Sequence, residues 1–377
     1  MAKRLILLGG GHAHVRVLQA FAREPLAGAE LLLVTPHSNL LYSGMVPGLV
    51  AGHYGAEQCA IPLAPLAAAA RARWVLTSAI GLDTGARRVL LADGRSAEYD
   101  VLSLDTGAVM DRKRLPGAAE RGLFVRPMEN FVRLLPAVVE LAATRALDVV
   151  VLGGGAAGVE LALALQYRLA AGEERARVAL VTGGLLVLAG YPAVVSRRAA
   201  QALAVKRVTV WPEACVAIEP GAVVMGSGAR LACDVPVIAT GGEAPGWLAG
   251  SGLALDSQGF VLTGPTLQSR SHPEVFAVGD VASRDDAPHP RSGVHAVRAG
   301  PALALNLRRW VGSGPLRPHR PPARTLNLIS CGERSAIASF GDWSAQGRWV
   351  WWWKDRIDRA FVARYAVAEA ERLTPSG

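Results

Sequence analysis

The 377-residue sequence predicts an α/β fold: two doubly wound, parallel-sheet units in one chain, followed by a C-terminal segment. Three observations carry this prediction. A short apolar run ends in Gly9-Gly10-Gly11 and leads through a helical pattern to a second apolar run. The same order recurs around residues 153–158. The apolar runs lack the in–out alternation of half-exposed strands, as strands buried on both faces of a parallel sheet do.

Taken in order, Arg4 to Leu8 reads as the first strand, and the glycines end it. Val15 to Phe21 reads as a helix and Leu31 to Val34 as the second strand, one βαβ unit of ordinary size. Asp148 to Leu152 opens the second unit. Gly153-Gly154-Gly155-Ala156-Ala157-Gly158 is a full G-x-G-x-x-G, Val159 to Leu169 reads as helix, and Val178 to Val181 as strand. One such loop is weak evidence; two, each between strand and helix, reinforce one another. Near the end, Trp349-Val350-Trp351-Trp352-Trp353 is unusually dense in tryptophan, which suits core, a lid or peripheral membrane contact. Behind it Ile357, Ala360, Phe361, Arg364 and Tyr365 recur at helical spacing with a mostly apolar face.

Both loops are built for phosphate, in the manner of Rossmann-like dinucleotide-binding domains. The first glycine (Gly9, Gly153) makes the tight turn, and the second (Gly11, Gly155) leaves bare backbone for a pyrophosphate. The third lets helix and strand pack closely, and the helix N-terminus offers free N–H groups and a positive partial charge. Gly158 is that third glycine in the second loop, but His14 stands there in the first, after His12 and Ala13. Neither second strand ends in the acid that usually holds an adenosine ribose. Thr35, followed by Pro36, and Thr182 stand there instead. Without a carboxylate at Thr182 a 2′-phosphate is not repelled, and Arg197 or Arg198 could pair with one, which favours NADPH over NADH.

Hydrophobic residues make up 51% of the chain and charged residues 19%, a globular composition. Cys59, Cys215, Cys233 and Cys331 lie far apart, without a CxxC pair. No metal site, disulfide framework or local redox disulfide is therefore expected, and a reducing compartment fits. Neither a signal peptide nor a membrane span is expected, which points to a cytoplasmic protein. The net charge of +9 is concentrated: residues 308–364 hold eleven Lys and Arg against four Asp and Glu. With no nucleic-acid motif beside it, that charge is read as a solvated face, as a face for acidic ligands or as peripheral contact with the inner face of the cytoplasmic membrane. Monomer and homodimer both stay open.

The two loops, then Val275-Phe276-Ala277-Val278-Gly279-Asp280, with Asp105-Thr106-Gly107 and Ala239-Thr240-Gly241 between, resemble the pyridine nucleotide-disulfide oxidoreductase superfamily. That resemblance implies an FAD loop first and an NAD(P)H loop second. It implies Asp280 on the FAD ribitol, Gly279 beside the pyrophosphate, and turns at Thr106, Gly107 and Gly241. It divides the chain into a split FAD domain (1–110 and 255–315), an NAD(P)H domain (111–254) and a flavin-covering segment (316–377). Gly9 to Val15, Thr35 to Tyr54, Leu102 to Ala108 and Gly293 to Leu307 are similar to a narrower branch. These are the type II NADH dehydrogenase-like flavoproteins found fused to or beside selenide, water dikinase, in which histidine is common at the position of His14.

The branch implies an oxidoreductase taking a hydride from NAD(P)H to flavin N5 and passing electrons to a small acceptor, a quinone or a selenium or sulfur compound. It implies roles for Glu160, near the nicotinamide, and Lys354, reaching the flavin region. Gly44, Met45 and Pro47 would lie along the ring. Val294, His295 and Ala296 would present helix N–H groups to the flavin edge. Val294 and Arg298 replace two glutamines of the quinone-using pattern. That loss, with the missing ribose acids at Thr35 and Thr182, motivates the rival reading, a redox-sensing FAD module with little turnover.

Overall fold

The computed structural model describes residues 2–170 and 176–366. In chain order the elements that build the site are β1 (Lys3–Leu8), α1 (His12–Arg23), β2 (Ala29–Thr35), α2 (Val46–Val50), β3 (Arg73–Leu76), β4 (Val101–Leu104) and β5 (Leu123–Phe124). Next come α3 (Met128–Thr144), β6 (Asp148–Leu152), α4 (Ala156–Leu169), β7 (Arg177–Val181), α5 (Ala193–Val205), β8 (Thr209–Trp211) and β9 (Val235–Ile238). The last are β10 (Val275–Ala277), α6 (Gly293–Val311), β11 (Asn327–Ser330), β12 (Ala336–Phe340), β13 (Trp343–Gly347) and α7 (Arg348–Arg364). The expected α/β class holds, with two parallel sheets. The segment expected over 316–377 runs past the described residues at 367–377.

The first sheet has the order β10-β4-β1-β2-β3 and the second β5-β9-β6-β7-β8, all neighbours parallel. Apart from the edge strands β10 and β5, the two share one plan. Each runs strand, glycine turn, helix, strand and a third strand. A three-stranded antiparallel meander follows, at residues 79–98 in one and 215–232 in the other, and a fourth strand returns beside the first. The inner strands β1, β4, β6 and β9 are buried on both faces, as their unbroken apolar runs require, while the edge strands β3 and β8 are largely exposed. Leu5 and Leu7 face α1 and α6, while Ile6 and Leu8 face Tyr99 and Leu248 across the sheet.

The predicted helices extend by a turn at the glycine end. α1 begins at His12 and α4 at Ala156, each with its N-cap on the second glycine. The β11-β12-β13 sheet is antiparallel, and Ile329, Ile337, Val350 and Trp351 join the core of the second unit. α7 departs from its expected pattern. It starts at Arg348 and so contains the tryptophans. Its buried side carries Val350, Trp351, Lys354, Asp358 and Phe361, whereas Ile357 is 38% exposed. An ion pair on that face replaces part of the expected apolar stripe. Among the described residues no helix is long and apolar enough to cross a membrane.

Candidate functional site

The repeated plan lets the two loops be compared position by position. The Gly9 N–H meets the Val34 carbonyl at 2.8 Å, and the Gly153 N–H meets the Val181 carbonyl at 2.8 Å. The Asp105 N–H meets the Leu8 carbonyl at 2.9 Å, and the Ala239 N–H meets the Leu152 carbonyl at 2.8 Å. Gly9 and Gly153 have φ of +97° and +131°, and a Cβ on either would overlap backbone at Asp105 or Ala239. Both therefore require glycine. His14 thus answers to Gly158, Ser103 to Val237 and Asp105 to Ala239.

At the third glycine position the loops part. A Cβ on Gly158 would overlap the Gly153 carbonyl. In the first loop that carbonyl, Gly9, instead accepts a hydrogen bond from His14 Nδ1 at 2.6 Å. A carbonyl can only accept, so Nδ1 carries the proton, and Nε2 accepts from the Ser103 hydroxyl at 2.8 Å. Burial pushes His14 down to about 4 and keeps it neutral. His14 therefore locks strand to helix beneath the loop and faces no ligand space.

A cavity of about 440 Å³ opens over the first loop. Gly9, Gly11, His12, Thr35, Pro36, Thr106, Gly107, Asp280 and Ala296 of the expected residues line it. Sequence reading missed several others: Asp105, Arg126, Trp247 and the stretch Thr77–Ala79 after β3. Arg126 Nη1 donates to Asp280 Oδ2 at 2.8 Å. His12 Nε2 and Thr106 Oγ1 are buried without a hydrogen-bond partner among the described residues. Burial holds His12 down at about 4. Bare glycine backbone, a carboxylate with an arginine beside it and two orphaned polar atoms fit a dinucleotide with a polyol chain.

Ala13, Gly44, Met45, Pro47, Gly279, Val294 and His295 do not line this cavity. Met45 and Pro47 are buried in the apolar turn and helix of residues 43–50. The His295 and Ala296 N–H groups bond to the Ser292 carbonyl at 3.1 and 3.2 Å, while those of Gly293 and Val294 have no partner among the described residues. The His295 ring turns away from the cavity and lies 4.2 Å from His289, in a small pocket with Arg284 and His319.

The second loop is open. A Cβ on Gly155, Gly184 or Gly241 would meet nothing within 4 Å. Thr182 Oγ1 donates to the Gly184 carbonyl, and Arg197 is exposed on α5. Glu160, on α4, accepts the Ser330 N–H at 2.7 Å; burial pushes it up to about 7 while Lys354 pulls it down. Lys354, 7% exposed, donates to the Gly44 carbonyl and, at 2.5 Å, to Asp358, 4% exposed. Burial raises Asp358 against the pull of Lys354. Phe361 stacks on Tyr42 with centroids 4.3 Å apart, and Tyr42 lies edge-on to His12 at 5.7 Å. α7 thus packs behind the cavity wall, reaching His12 through Tyr42 and the Ser43–Met45 turn through Lys354.

All four cysteines are free. Burial pushes the Cys59 and Cys331 thiols up to about 12, so neither offers a thiolate at neutral pH.

Residues 3–300 match the family described as pyridine nucleotide-disulphide oxidoreductase. An NADH dehydrogenase-like protein of Mycobacterium tuberculosis is 32% identical over 240 residues, 60% of this chain and 59% of that protein. Demethylphylloquinone reductase of Synechocystis is 26% identical over 297 residues, 75% of this chain and 73% of that one. The crystal structure of the sulfide:quinone oxidoreductase of Aquifex aeolicus superposes with a TM-score of 0.82 at 20% identity, covering 97% of this chain and 91% of that one.

Proposed function

The chain belongs to the pyridine nucleotide-disulphide oxidoreductase family, and on that premise we propose that it is an NAD(P)H dehydrogenase that hands electrons to a quinone without a redox disulfide. It is an FAD-dependent oxidoreductase working with FAD and a nicotinamide nucleotide. The observation that carries the finer reading is the repeated loop plan, with the first copy enclosed under a cavity and the second open. The first then holds FAD and the second the exchanging nucleotide. The quinone rests on the demethylphylloquinone reductase likeness; a selenium or sulfur acceptor is what the branch resemblance adds.

FAD supplies the hydride-accepting flavin. The chain's residues supply the rest. The glycine backbone of the first loop takes the pyrophosphate at the start of α1. Asp280, held by Arg126, would take the ribitol hydroxyls, with Thr106 Oγ1 and His12 Nε2 as further polar partners. The Gly293 and Val294 N–H groups at the α6 N-terminus would offer a positive end to a flavin edge, where charge develops on reduction. Glu160 would orient the nicotinamide amide or hold a proton, and Lys354 fixes the Gly44 turn, next to Ser43 of the cavity wall. Exposed Trp349 and Trp352 (55% and 64%), beside Arg348 and Arg356, support peripheral contact with an anionic membrane.

The test is an anaerobic titration of the holoprotein with NADPH and then NADH, followed at the flavin absorbance band, with a quinone added afterwards. Bleaching by one nucleotide and recovery with quinone is the expected result. FAD that neither nucleotide bleaches overturns the dehydrogenase reading and leaves a redox-sensing module.

A further inference from the structure

Asp105 follows β4 where Ala239 follows β9, and the difference fills the phosphate end of the first loop. Asp105 is 4% exposed. Its Oδ2 accepts the N–H groups of Ala13 at 2.8 Å and His14 at 2.9 Å. A Cβ on Gly11 would overlap the Asp105 carboxyl, and one on Gly279 would lie 2.6 Å from Oδ1. The same place in the second loop is empty, since a Cβ on Gly155 meets nothing within 4 Å. The first loop therefore carries an acid between the α1 N-terminus and the Gly279 turn, where a pyrophosphate would approach. Ionised, that acid occupies two N–H donors of the helix end and sets a negative charge where the phosphates would come. Neutral, it keeps one oxygen as acceptor and can donate its O–H to a phosphate oxygen.

We propose that Asp105 is a positioning residue for the FAD pyrophosphate and works as the neutral acid, so that FAD binding takes up one proton. This rests on the assignment of FAD to the first loop. The proton comes from solvent and stays on Asp105; no electron moves. Burial already pushes the free acid up to about 7, against the two N–H bonds that pull it down. The charge that acts on it is Asp280 on the Gly279 turn, which pairs with Arg126; His12, Arg112 and Glu129 line the same cavity, and His14 on α1 offers it a backbone N–H. Both histidines are held at about 4, so neither titrates near neutrality. The Asp280 charge is offset by Arg126.

The experiment dilutes the holoprotein between pH 6 and 9 and reads released FAD by its fluorescence, for the wild type, Asp105→Asn and Asp105→Ala. The wild-type Kd should rise by up to about tenfold per pH unit above 7, the slope of one-proton linkage. Both variants should be flat; Asp105→Ala copies a side chain that the fold already accepts at Ala239. A flat wild type, or variants that keep its slope, overturns the proposal. Protein that holds no FAD at any pH overturns the loop assignment, and this inference with it.

Discussion

His14 Nε2 lies 2.8 Å from the Ser103 hydroxyl, while Nδ1 holds the Gly9 carbonyl. The pair spans helix, strand and glycine turn, and it occupies the position where the second loop has glycine. His14→Gly completes the G-x-G-x-x-G, yet it should destabilise the protein. It strands two buried polar groups, opens a void and puts glycine in a helix, a loss of about 2–4 kcal/mol. Urea denaturation reads this directly; a variant as stable as the wild type would remove the locking role.

Lys354 and Asp358 form a buried pair, so removing one partner leaves a buried charge. Lys354→Met alone should cost about 3–5 kcal/mol. The double variant Lys354→Met, Asp358→Leu should recover a large part of that loss. Chemical denaturation of the three proteins tests it, and additive losses would show that the two do not depend on each other.

Glu160 is pushed up to about 7 from an ordinary 4.5, mainly by burial. Between those values the folded protein binds more protons than the unfolded chain, so this residue makes stability fall as pH rises from 4.5 to 7. Glu160→Gln should flatten part of that fall, leaving the share due to Asp105. Tm measured from pH 5 to 8 is the check, and an unchanged slope would place Glu160 in a more solvated setting.

Arg197 is exposed on α5, beyond the open second loop. If it pairs with a 2′-phosphate, Arg197→Ala should raise the KM for NADPH about tenfold and leave that for NADH unchanged. Equal effects on both nucleotides would assign the arginine to the solvated helix face.

The tryptophans of α7 should carry membrane contact. Co-sedimentation with anionic vesicles is expected for the wild type, weakened by salt and lost in Trp349→Ala, Trp352→Ala. Absence of binding at low salt would return these side chains to a bare surface.

Much of the fold was legible because glycine turns and doubly buried strands leave strong local marks. Gly9 and Gly153 showed their turns, and Leu5 to Leu8 showed their sheet. The site was legible along its loops, at Thr35, Thr106 and Asp280, because those residues sit in motifs. Arg126 was not: it reaches Asp280 across 154 positions with no motif around it. Asp105 left a trace that could have been read, since aligning Asp105-Thr106-Gly107 with Ala239-Thr240-Gly241 isolates one acid against one methyl. The face of α7 misled because Lys354 and Asp358 neutralise one another inside, and hydrophobic periodicity cannot see a buried pair.

One plan used twice also separates two kinetic demands. The first loop is stitched shut from below by His14 and filled by Asp105, so whatever it holds is held by many simultaneous contacts and should leave slowly. The second keeps Gly155 and Gly184 bare and Thr182 turned to its own backbone, so its guest has little to break on departure. Permanence and turnover should then be adjustable separately, a substitution in one copy being expected to leave the other's residence time unchanged.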